Sequence, residues 1–320
     1  MADKIATREA YGNALAEFGA LYPEVVVLDA DLAAATKTGI FKNKFPDRFF
    51  DCGIAENNMV GVAAGLATTG KIPFVSTFAM FAAGRSFEQV RNSVGYPHLN
   101  VKIAATHAGI TVGEDGATHQ CNEDLALMRT IPGMTVINPS DAIEARAAVE
   151  AAIKYEGPVY MRFGRYPVSI INDTPDYKFE IGKAIKMADG SDVTIVATGM
   201  MVEQALIARE LLMADGISAA VVNMHTIKPI DKDMLIAQAQ QTGAIVTSEE
   251  HNIIGGLGAA VAETLSEICP VPVVRHGVED VFGKSAPAKE LIEYYSLNAQ
   301  GIVEKCKKAV SLKNYGFAAN

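Results

Sequence analysis

A single carboxylate, Glu56, stands where an aromatic, strand-like run gives way to a helix of small residues. The run Phe49–Cys52 ends at Gly53, and the pattern predicts a helix from Met59 to Ala67. The neighbours of Glu56 are mostly apolar, so an unpartnered carboxylate there would carry a desolvation cost. Two interpretations follow. Glu56 caps its own helix, where the helix dipole favours a negative charge, or it has a dedicated partner.

A second concentration of reactive groups is the polar, glycine-rich loop 107–122, which contains His107, Asp115 and His119. Histidine can transfer protons near pH 7, and glycine lets a backbone approach a ligand closely. Two other interpretations stay open: a solvated surface loop, or a metal site formed by His107, His119 and Cys121. The spacing of that metal set matches no standard zinc pattern.

These groups follow the strands of a predicted sheet. Apolar strands alternate with helices, which indicates an α/β fold with a parallel, doubly wound sheet. The strands are predicted at Val25–Leu28, Phe49–Cys52, Ile72–Ser76, Val101–Thr106, Thr135–Asn138 and Val159–Phe163. Such sheets place ligands at the carboxyl ends of their strands, where the reactive groups lie.

The length of 320 residues predicts two domains. Residues 173–190 have little periodicity and several Asp, Pro and Gly residues, so we expect a linker there. The first domain is then 1–172, and a smaller, second doubly wound α/β unit is 191–320. Its strands are predicted at Val193–Thr198, Ser218–Asn223, Ala244–Ser248 and Val271–Arg275.

The composition limits the classes of protein. Apolar residues make up 49% of the chain, and the four cysteines form no CxxC pair, which is typical of a reducing compartment. The first residues lack the apolar core of a signal peptide, and no apolar run is long enough for a membrane span. A net charge of −9 disfavours nucleic acid as a partner. We therefore expect a soluble, cytoplasmic protein with no membrane or nucleic-acid partner.

Four strings of the chain resemble transketolases, a thiamine-diphosphate-dependent family. They occur in the family's order and together cover nearly the whole chain. The strings are Gly53–Met59, Ser76–Phe81, Gly113–Gln120 and Glu249–Gly258. The resemblance implies a pyrimidine-binding domain followed by a transketolase C-terminal-type domain. The same broad family includes deoxyxylulose-phosphate synthase and the β subunits of 2-oxo acid dehydrogenases.

The resemblance implies roles for several residues around a thiamine diphosphate cofactor. Glu56 matches the glutamate that hydrogen-bonds N1′ of the pyrimidine, which favours the tautomer whose 4′ nitrogen can remove the thiazolium C2 proton. Phe78 and Phe81 match aromatics that line the pyrimidine pocket. His119 matches a histidine that carries protons during C–C cleavage. Asp31 resembles an interface aspartate near the cofactor.

The resemblance also implies a site for a phosphorylated sugar. Asp115 resembles a carboxylate that recognises a substrate hydroxyl. Arg8, His107 and Arg162 resemble the phosphate-binding set. The alternative interpretation of Arg8 is an exposed arginine at the start of a helix. Transketolases have a phosphate-binding serine where this chain has Ala35, and Thr36 or Lys37 would have to replace it.

The Gly-Asp-Gly segment that holds the metal in thiamine enzymes does not occur in this sequence. A diphosphate needs a divalent cation to neutralise it. We therefore expect no metal on this chain and a separate N-terminal subunit that holds the diphosphate with Mg²⁺ or Ca²⁺. The active site would lie between chains of an α2β2 assembly, with this chain self-associating as a dimer. The second domain, including His251, would serve chiefly as an interface.

The leading hypothesis is the C-terminal subunit of a two-component transketolase that transfers a two-carbon ketol group between sugar phosphates. One alternative is a 2-oxo acid dehydrogenase β subunit, which tends to have His-Ser-Gln where this chain has His119-Gln120. Another is a split transketolase specialised for an unusual sugar. A non-enzyme alternative is a regulatory binding partner that keeps the fold.

Overall fold

The structure, a computed structural model, describes residues 4–316 as alternating strands and helices. The strands are β1 (Lys4–Ala6), β2 (Val25–Asp29), β3 (Phe49–Asp51), β4 (Ile72–Phe78), β5 (Lys102–Thr106), β6 (Thr135–Ile137), β7 (Val159–Arg162), β8 (Pro167–Ser169), β9 (Ile185–Ala188), β10 (Val193–Ala197), β11 (Ala219–Asn223), β12 (Thr226–Lys228), β13 (Ile245–Asn252) and β14 (Val273–Val278). The α-helices are α1 (Thr7–Phe18), α2 (Ala33–Thr36), α3 (Gly39–Lys44), α4 (Glu56–Ala67), α5 (Phe87–Gln89), α6 (Asp124–Arg129), α7 (Ala142–Lys154), α8 (Met201–Ala214), α9 (Lys232–Thr242), α10 (Leu257–Ile268), α11 (Ala288–Tyr294) and α12 (Ala299–Gly316). Short 3-10 helices span Pro46–Arg48 and Ile110–Asp115, and π-helices span Met80–Arg85 and Val90–Gly95.

The first domain is built on a seven-stranded sheet of order β12-β6-β7-β5-β4-β2-β3. Strands β2 to β7 run parallel, and β2, β5, β6 and β7 are buried along their whole length. Burial on both faces explains their uninterrupted apolar sequences. The prediction of a parallel α/β sheet is confirmed, and the carboxyl ends of β4 and β5 lie side by side, with Phe78 opposite Thr106.

The second domain is built on a five-stranded sheet of order β14-β13-β10-β11-β9, in which only β9 runs antiparallel to its neighbour. Strand β9 lies inside the predicted linker 173–190, so part of that segment belongs to this sheet. As a partly exposed edge strand, β9 does not need the apolar run that identified the other strands.

The two domains share one of the apolar core clusters of the described chain. Strand β12 comes from the second half of the chain but pairs with β6 of the first sheet, with Thr226 opposite Ile137. One buried cluster contains side chains of both sheets, including Val26, Val136, Val196 and Val222. The domains are therefore packed as one unit, and the second domain can position groups of the first.

Within residues 4–316, no helix combines the length and the apolar character that a membrane crossing requires.

Candidate active site

Glu56 is the first residue of α4 and is only 2% exposed. Gly53, with φ of 66°, turns the chain from β3 towards this helix. The Glu56 side chain has a dedicated partner, because Nη1 of Arg85 donates to its Oε1 at 2.7 Å. Among residues 4–316, no group donates a hydrogen bond to the other oxygen, Oε2. The guanidinium of Arg85 also lies 4.4 Å from the ring centroid of Phe81.

Four rings form an aromatic cluster beside this pair. Phe78, at the end of β4, stacks on His107 with ring centroids 3.8 Å apart and on Phe81 with centroids 5.9 Å apart. His119 meets Phe81 edge-on at 5.5 Å. The structure thus brings together four residues that the resemblance assigned to one site. Such an aromatic wall suits a flat heterocyclic ring.

His107 is held as a neutral imidazole in one tautomer. Nη1 of Arg8 lies 3.0 Å from Nε2, and a guanidinium can only donate, so Nε2 accepts. The ring proton is then on Nδ1, which donates to Oγ1 of Thr106 at 2.9 Å. Burial and the positive charge of Arg8 lower the pKa of His107 to about 3. Both nitrogens are occupied within the chain, so His107 orients Arg8 in this structure.

Cations gather on one side of the aromatic cluster. Nη1 of Arg8 also donates to the carbonyl of Ala35 at 2.8 Å. Burial and the nearby charge of Arg165 lower the pKa of Arg8, and Lys37 adds its own positive charge to the surroundings of His107. Carboxylates accompany two of these cations, with Glu9 3.2 Å from Lys37 and Asp115 3.6 Å from Arg165. The group suits an anionic substituent of a ligand.

The expectation that Arg162 binds phosphate is not supported by its position. Arg162 is 3% exposed, its Nε donates to Asp124 Oδ2 at 2.8 Å, and its Nη2 donates to the Glu250 carbonyl at 2.8 Å. Tyr160 donates to the same Asp124 oxygen at 2.8 Å. The guanidinium therefore links the two domains internally, through Asp124 of the first and Glu250 of the second. It is buried because Arg162 is the last residue of β7, a strand buried on both faces.

Arg165, which sequence reasoning missed, is a partly exposed arginine of this region. Its side chain is 37% exposed, and its Nη1 donates to the carbonyl of Val112 and lies 3.6 Å from Oδ2 of Asp115. The signal available in the sequence is its position in the loop three residues beyond Arg162, past the end of β7.

Asp115 and His119 lie on the loop that follows β5. The Asp115 carboxylate is 43% exposed and is accessible at the mouth of the site. Nδ1 of His119 lies 2.9 Å from Oγ1 of Thr118, and no group among residues 4–316 hydrogen-bonds its Nε2. That nitrogen is available for proton transfer to a bound molecule.

Asp31 is exposed at a left-handed backbone position, with φ of 61°. Its neighbour Asp29 is fully buried and organises the loop after β2, accepting hydrogen bonds from Thr36, Thr38 and the Leu32 amide at 2.6 to 2.8 Å. Asp29 thus shapes the loop, and Asp31 is the carboxylate available to a partner or cofactor. The hydroxyl of Thr36 is committed to Asp29, so it does not replace the serine that this chain lacks.

His251, expected at an interface, is buried within the chain. Its Nδ1 lies 2.7 Å from the carbonyl of Asn252, and its Nε2 accepts from the amide of Ala126 at 3.4 Å. It joins β13 of the second domain to α6 of the first.

The site fits one half of thiamine diphosphate. The aromatic wall and the free Oε2 of Glu56 suit an aminopyrimidine, which has flat faces and a protonatable ring nitrogen. Within residues 4–316, no three His, Cys, Asp or Glu side chains come together as a metal site, and this includes the set His107, His119 and Cys121.

Comparisons with known proteins agree with this geometry. Residues 3–168 match the transketolase pyrimidine-binding domain, and residues 182–302 match the transketolase C-terminal domain. A candidate transketolase C-terminal section of Methanocaldococcus jannaschii is 51% identical over 93% of this chain and 94% of its own. A 6-deoxy-6-sulfo-D-fructose transketolase subunit of Clostridium sp. (strain MSTE9) is 46% identical over 96% of this chain and 95% of its own.

Solved structures give the same result. A split-gene transketolase, described as an inactive β4 tetramer, has 55% identity and a TM-score of 0.89 over 97% of this chain and 100% of its own. Transketolase from Leishmania mexicana has 26% identity and a TM-score of 0.84, and the match covers 99% of this chain but 47% of that one. The chain therefore belongs to the transketolase family. Within that family it is the C-terminal section of a split transketolase, with the pyrimidine-binding and C-terminal domains on one polypeptide. The Methanocaldococcus, Clostridium and split-gene relatives are all described as transketolases, which favours this over the 2-oxo acid dehydrogenase alternative.

Proposed function

We propose that the chain is the C-terminal subunit of a two-component transketolase that moves a two-carbon ketol group between a ketose and an aldose phosphate. The observation that carries the proposal is the free Oε2 of the buried Glu56 carboxylate beside the aromatic wall. Thiamine diphosphate, the cofactor that the family implies, would supply the nucleophilic carbon for C–C cleavage.

The chain's own residues would hold and orient the pyrimidine. Glu56 would keep a proton at N1′ through Oε2, while Arg85 retains Oε1. Phe78 and Phe81 would exclude water from the ring and fix its plane. Asp31, exposed beyond β2, would contact the cofactor from the edge of the cleft. Pre-organised groups of this kind lower the barrier because they need not reorganise during the reaction.

Other residues would handle the sugar. His119 would move protons to and from the substrate hydroxyls through Nε2, and the exposed Asp115 would accept a hydrogen bond from a hydroxyl. Arg8 and Arg165 would bind the phosphate, with His107 holding Arg8 in place. Arg165 takes the role that sequence reasoning gave to Arg162.

A separate N-terminal subunit would supply the diphosphate site with its Mg²⁺ or Ca²⁺, in an α2β2 assembly. Two relatives support this by name, since the Clostridium protein and a Phocaeicola vulgatus protein are both described as transketolase subunits, the latter for apulose 4-phosphate. Ile54, two residues before Glu56, is 77% exposed, which suits a surface that a partner covers. We place the complex in the cytoplasm, where the four free cysteines would stay reduced.

The test is reconstitution with a cognate N-terminal subunit, thiamine diphosphate and magnesium, and measurement of ketol transfer from xylulose 5-phosphate. Glu56→Gln should lower turnover by about 100-fold or more, because a neutral amide cannot share the N1′ proton in the same way. Size-exclusion chromatography of the complex would show that assembly is intact. Little loss of turnover in an intact complex would instead favour a regulatory binding partner.

One observation favours a second candidate, a split transketolase for an unusual sugar. Ala35 has no side-chain hydroxyl, and its carbonyl is already bonded to Arg8. Relatives of 46% and 40% identity are named for a sulfosugar and for apulose 4-phosphate. Comparing kcat/KM for fructose 6-phosphate with that for its 6-deoxy-6-sulfo analogue in the reconstituted complex would separate the two. A tenfold preference for the sulfonate would select the second candidate.

A further inference from the structure

The active-site loop 107–122 rests directly on the second domain. Its glycines face that domain: a Cβ added at Gly109 would overlap the carboxylate of Glu250, and one added at Gly116 would lie 3.3 Å from Ser285. Both glycines have positive φ, of 77° and 75°. Oε1 of Glu250 also accepts the Thr111 amide at 2.8 Å. The glycines therefore allow close approach of a domain, rather than of a ligand as the sequence predicted.

The buried side chain of Gln120 fastens this loop at its far end. Its Nε2 lies 2.8 Å from the carbonyl of Lys284, 3.1 Å from that of Ile110 and 3.3 Å from that of Gly113, so its two hydrogens are shared among three acceptors. All three partners are acceptors, which fixes the orientation of the amide. The contacts with Ile110 and Gly113 stay within the loop, and the contact with Lys284 reaches segment 280–286, an irregular stretch of the second domain before α11.

Gly283 makes room for this contact. A Cβ built on Gly283 would overlap Oε1 of Gln120, although the Gly283 backbone lies outside the left-handed region. The glycine is thus required for space and not for conformation. On the other side of the loop, Oγ of Ser285 donates to the carbonyl of Glu114. Lys284 and Ser285, which are neighbours in segment 280–286, therefore both bind the turn that carries Asp115.

We propose that Gln120 is a positioning residue, through which segment 280–286 of the second domain holds Asp115 and His119 in register with the aromatic cluster. The second domain then has a part in the reaction beyond forming an interface. The expected effect of Gln120 on ketol transfer rests on the proposed transketolase function. Its expected effect on the mobility of loop 107–122 does not. Displacing catalytic groups by about 1 Å can cost roughly 100-fold in rate, so a loop held at few points is sensitive to such a loss.

The first experiment measures the loop itself in the purified chain by hydrogen–deuterium exchange of peptides covering 107–122. Gly283→Ala and Gln120→Met, which keeps the length but removes the amide, should each speed exchange in the loop about tenfold. Lys284→Ala is the matched control, because it keeps the carbonyl that accepts from Gln120. Unchanged exchange in both test variants, or equal acceleration in the control, would overturn the proposal.

The second experiment measures ketol transfer in the reconstituted complex. Gln120→Met should lower kcat/KM for the sugar about tenfold or more. The thiamine diphosphate concentration for half-maximal activity should stay within twofold, because Glu56, Phe78 and Phe81 lie outside the loop. If Gln120→Met weakened cofactor binding as much as it lowered kcat/KM for the sugar, Gln120 would have a purely structural role, and the proposal that it positions Asp115 and His119 would be wrong.

Coupling between the two residues provides the decisive comparison. In the Gln120→Met background, whose more flexible side chain can move aside, Gly283→Ala should change kcat/KM less than twofold. An equal effect in both backgrounds would show that Gly283 acts elsewhere. If the wild-type complex transfers no ketol group, the proposed function fails, and the exchange experiment still decides whether the second domain holds the loop.

Discussion

Arg85 donates a hydrogen bond to Oε1 of Glu56 at 2.7 Å and leaves Oε2 without a protein partner among residues 4–316. The pair joins the start of α4 to the end of the π-helix Met80–Arg85, which also carries Phe81. One residue thus fixes both the orientation of the carboxylate and, through its contact with the Phe81 ring, an edge of the aromatic wall. Arg85 was not identified from the sequence, where it lies outside the four strings that carry the resemblance.

Arg85→Ala should lower the free energy of unfolding by about 1 kcal/mol, a modest figure because the guanidinium is half exposed. It should also raise the thiamine diphosphate concentration needed for half-maximal activity, since Glu56 would lose its fixed orientation. Urea denaturation and cofactor titration measure the two effects. The exposed Arg91, replaced by Ala, is the control. If Arg85→Ala lowered the free energy of unfolding and raised the cofactor requirement equally in a Glu56→Gln background, the ion pair would not be the cause of these effects.

The two arginines near the end of β7, Arg162 and Arg165, should behave in opposite ways. Arg165→Ala should raise the KM for phosphorylated sugars about tenfold, through loss of a charge-assisted hydrogen bond, and leave stability nearly unchanged. Arg162→Ala should lower the free energy of unfolding by about 3–5 kcal/mol, because it leaves the Asp124 carboxylate buried without its cation. Steady-state kinetics and urea denaturation of both variants check this. A stable Arg162→Ala protein with a selective KM defect would restore Arg162 as the phosphate ligand.

Most strands of both sheets could be predicted because burial on two faces leaves uninterrupted apolar runs, as in Val25–Asp29 and Val193–Ala197. Strands β9 and β12 could not. Each is a short edge strand, and β12 pairs with the sheet of the other domain, so neither its partner nor its register is recorded in local sequence.

Some residues of the candidate site could likewise be predicted from the sequence, and others could not. Glu56 and Phe78 stand out because each lies in a recognisable motif, Glu56 at the start of α4 and Phe78 at the end of β4. The roles of Arg162 and Arg165 could not be separated, since which of two nearby arginines is buried depends on the position of Asp124 in the folded chain. Gln120 lies in one of the strings that carry the resemblance, but no local signal indicated its contact with the second domain, because its partner Lys284 is 164 residues away.

The neutral state of His107 predicts how stability depends on pH. Its pKa is lowered from the usual 6.5 to about 3, so between these values the unfolded chain binds a proton that the folded chain does not. Stability therefore falls as the pH drops below 6.5, and from pH 7 to pH 5 this residue accounts for a loss of about 2 kcal/mol. Urea denaturation should show that the free energy of unfolding of His107→Gln falls from pH 7 to pH 5 by about 2 kcal/mol less than that of the wild type. A pH dependence in His107→Gln equal to that of the wild type would rule out the assignment to His107.

Lys102 predicts a separate effect at alkaline pH. Its side chain is fully buried at the start of β5, and Nζ donates to the carbonyls of Tyr155 and Gly157 at 2.7 and 2.8 Å. Burial lowers the pKa of this amine from 10.5 to about 7, so between pH 7 and pH 10.5 the unfolded chain binds the extra proton. The contribution of Lys102 to stability therefore rises with pH, by about 2 kcal/mol from pH 7 to pH 9.

Lys102→Met should remove this rise, because methionine fills a similar volume without a titrating group. Urea denaturation at pH 7 and pH 9 should give a free energy of unfolding whose increase with pH is about 2 kcal/mol smaller than in the wild type. Lys154→Met is the control, since that ammonium is mostly exposed and pairs with Glu150 on the helix surface. Parallel pH profiles for wild type and Lys102→Met would mean that the buried amine keeps its proton through this range, held by its two carbonyl partners.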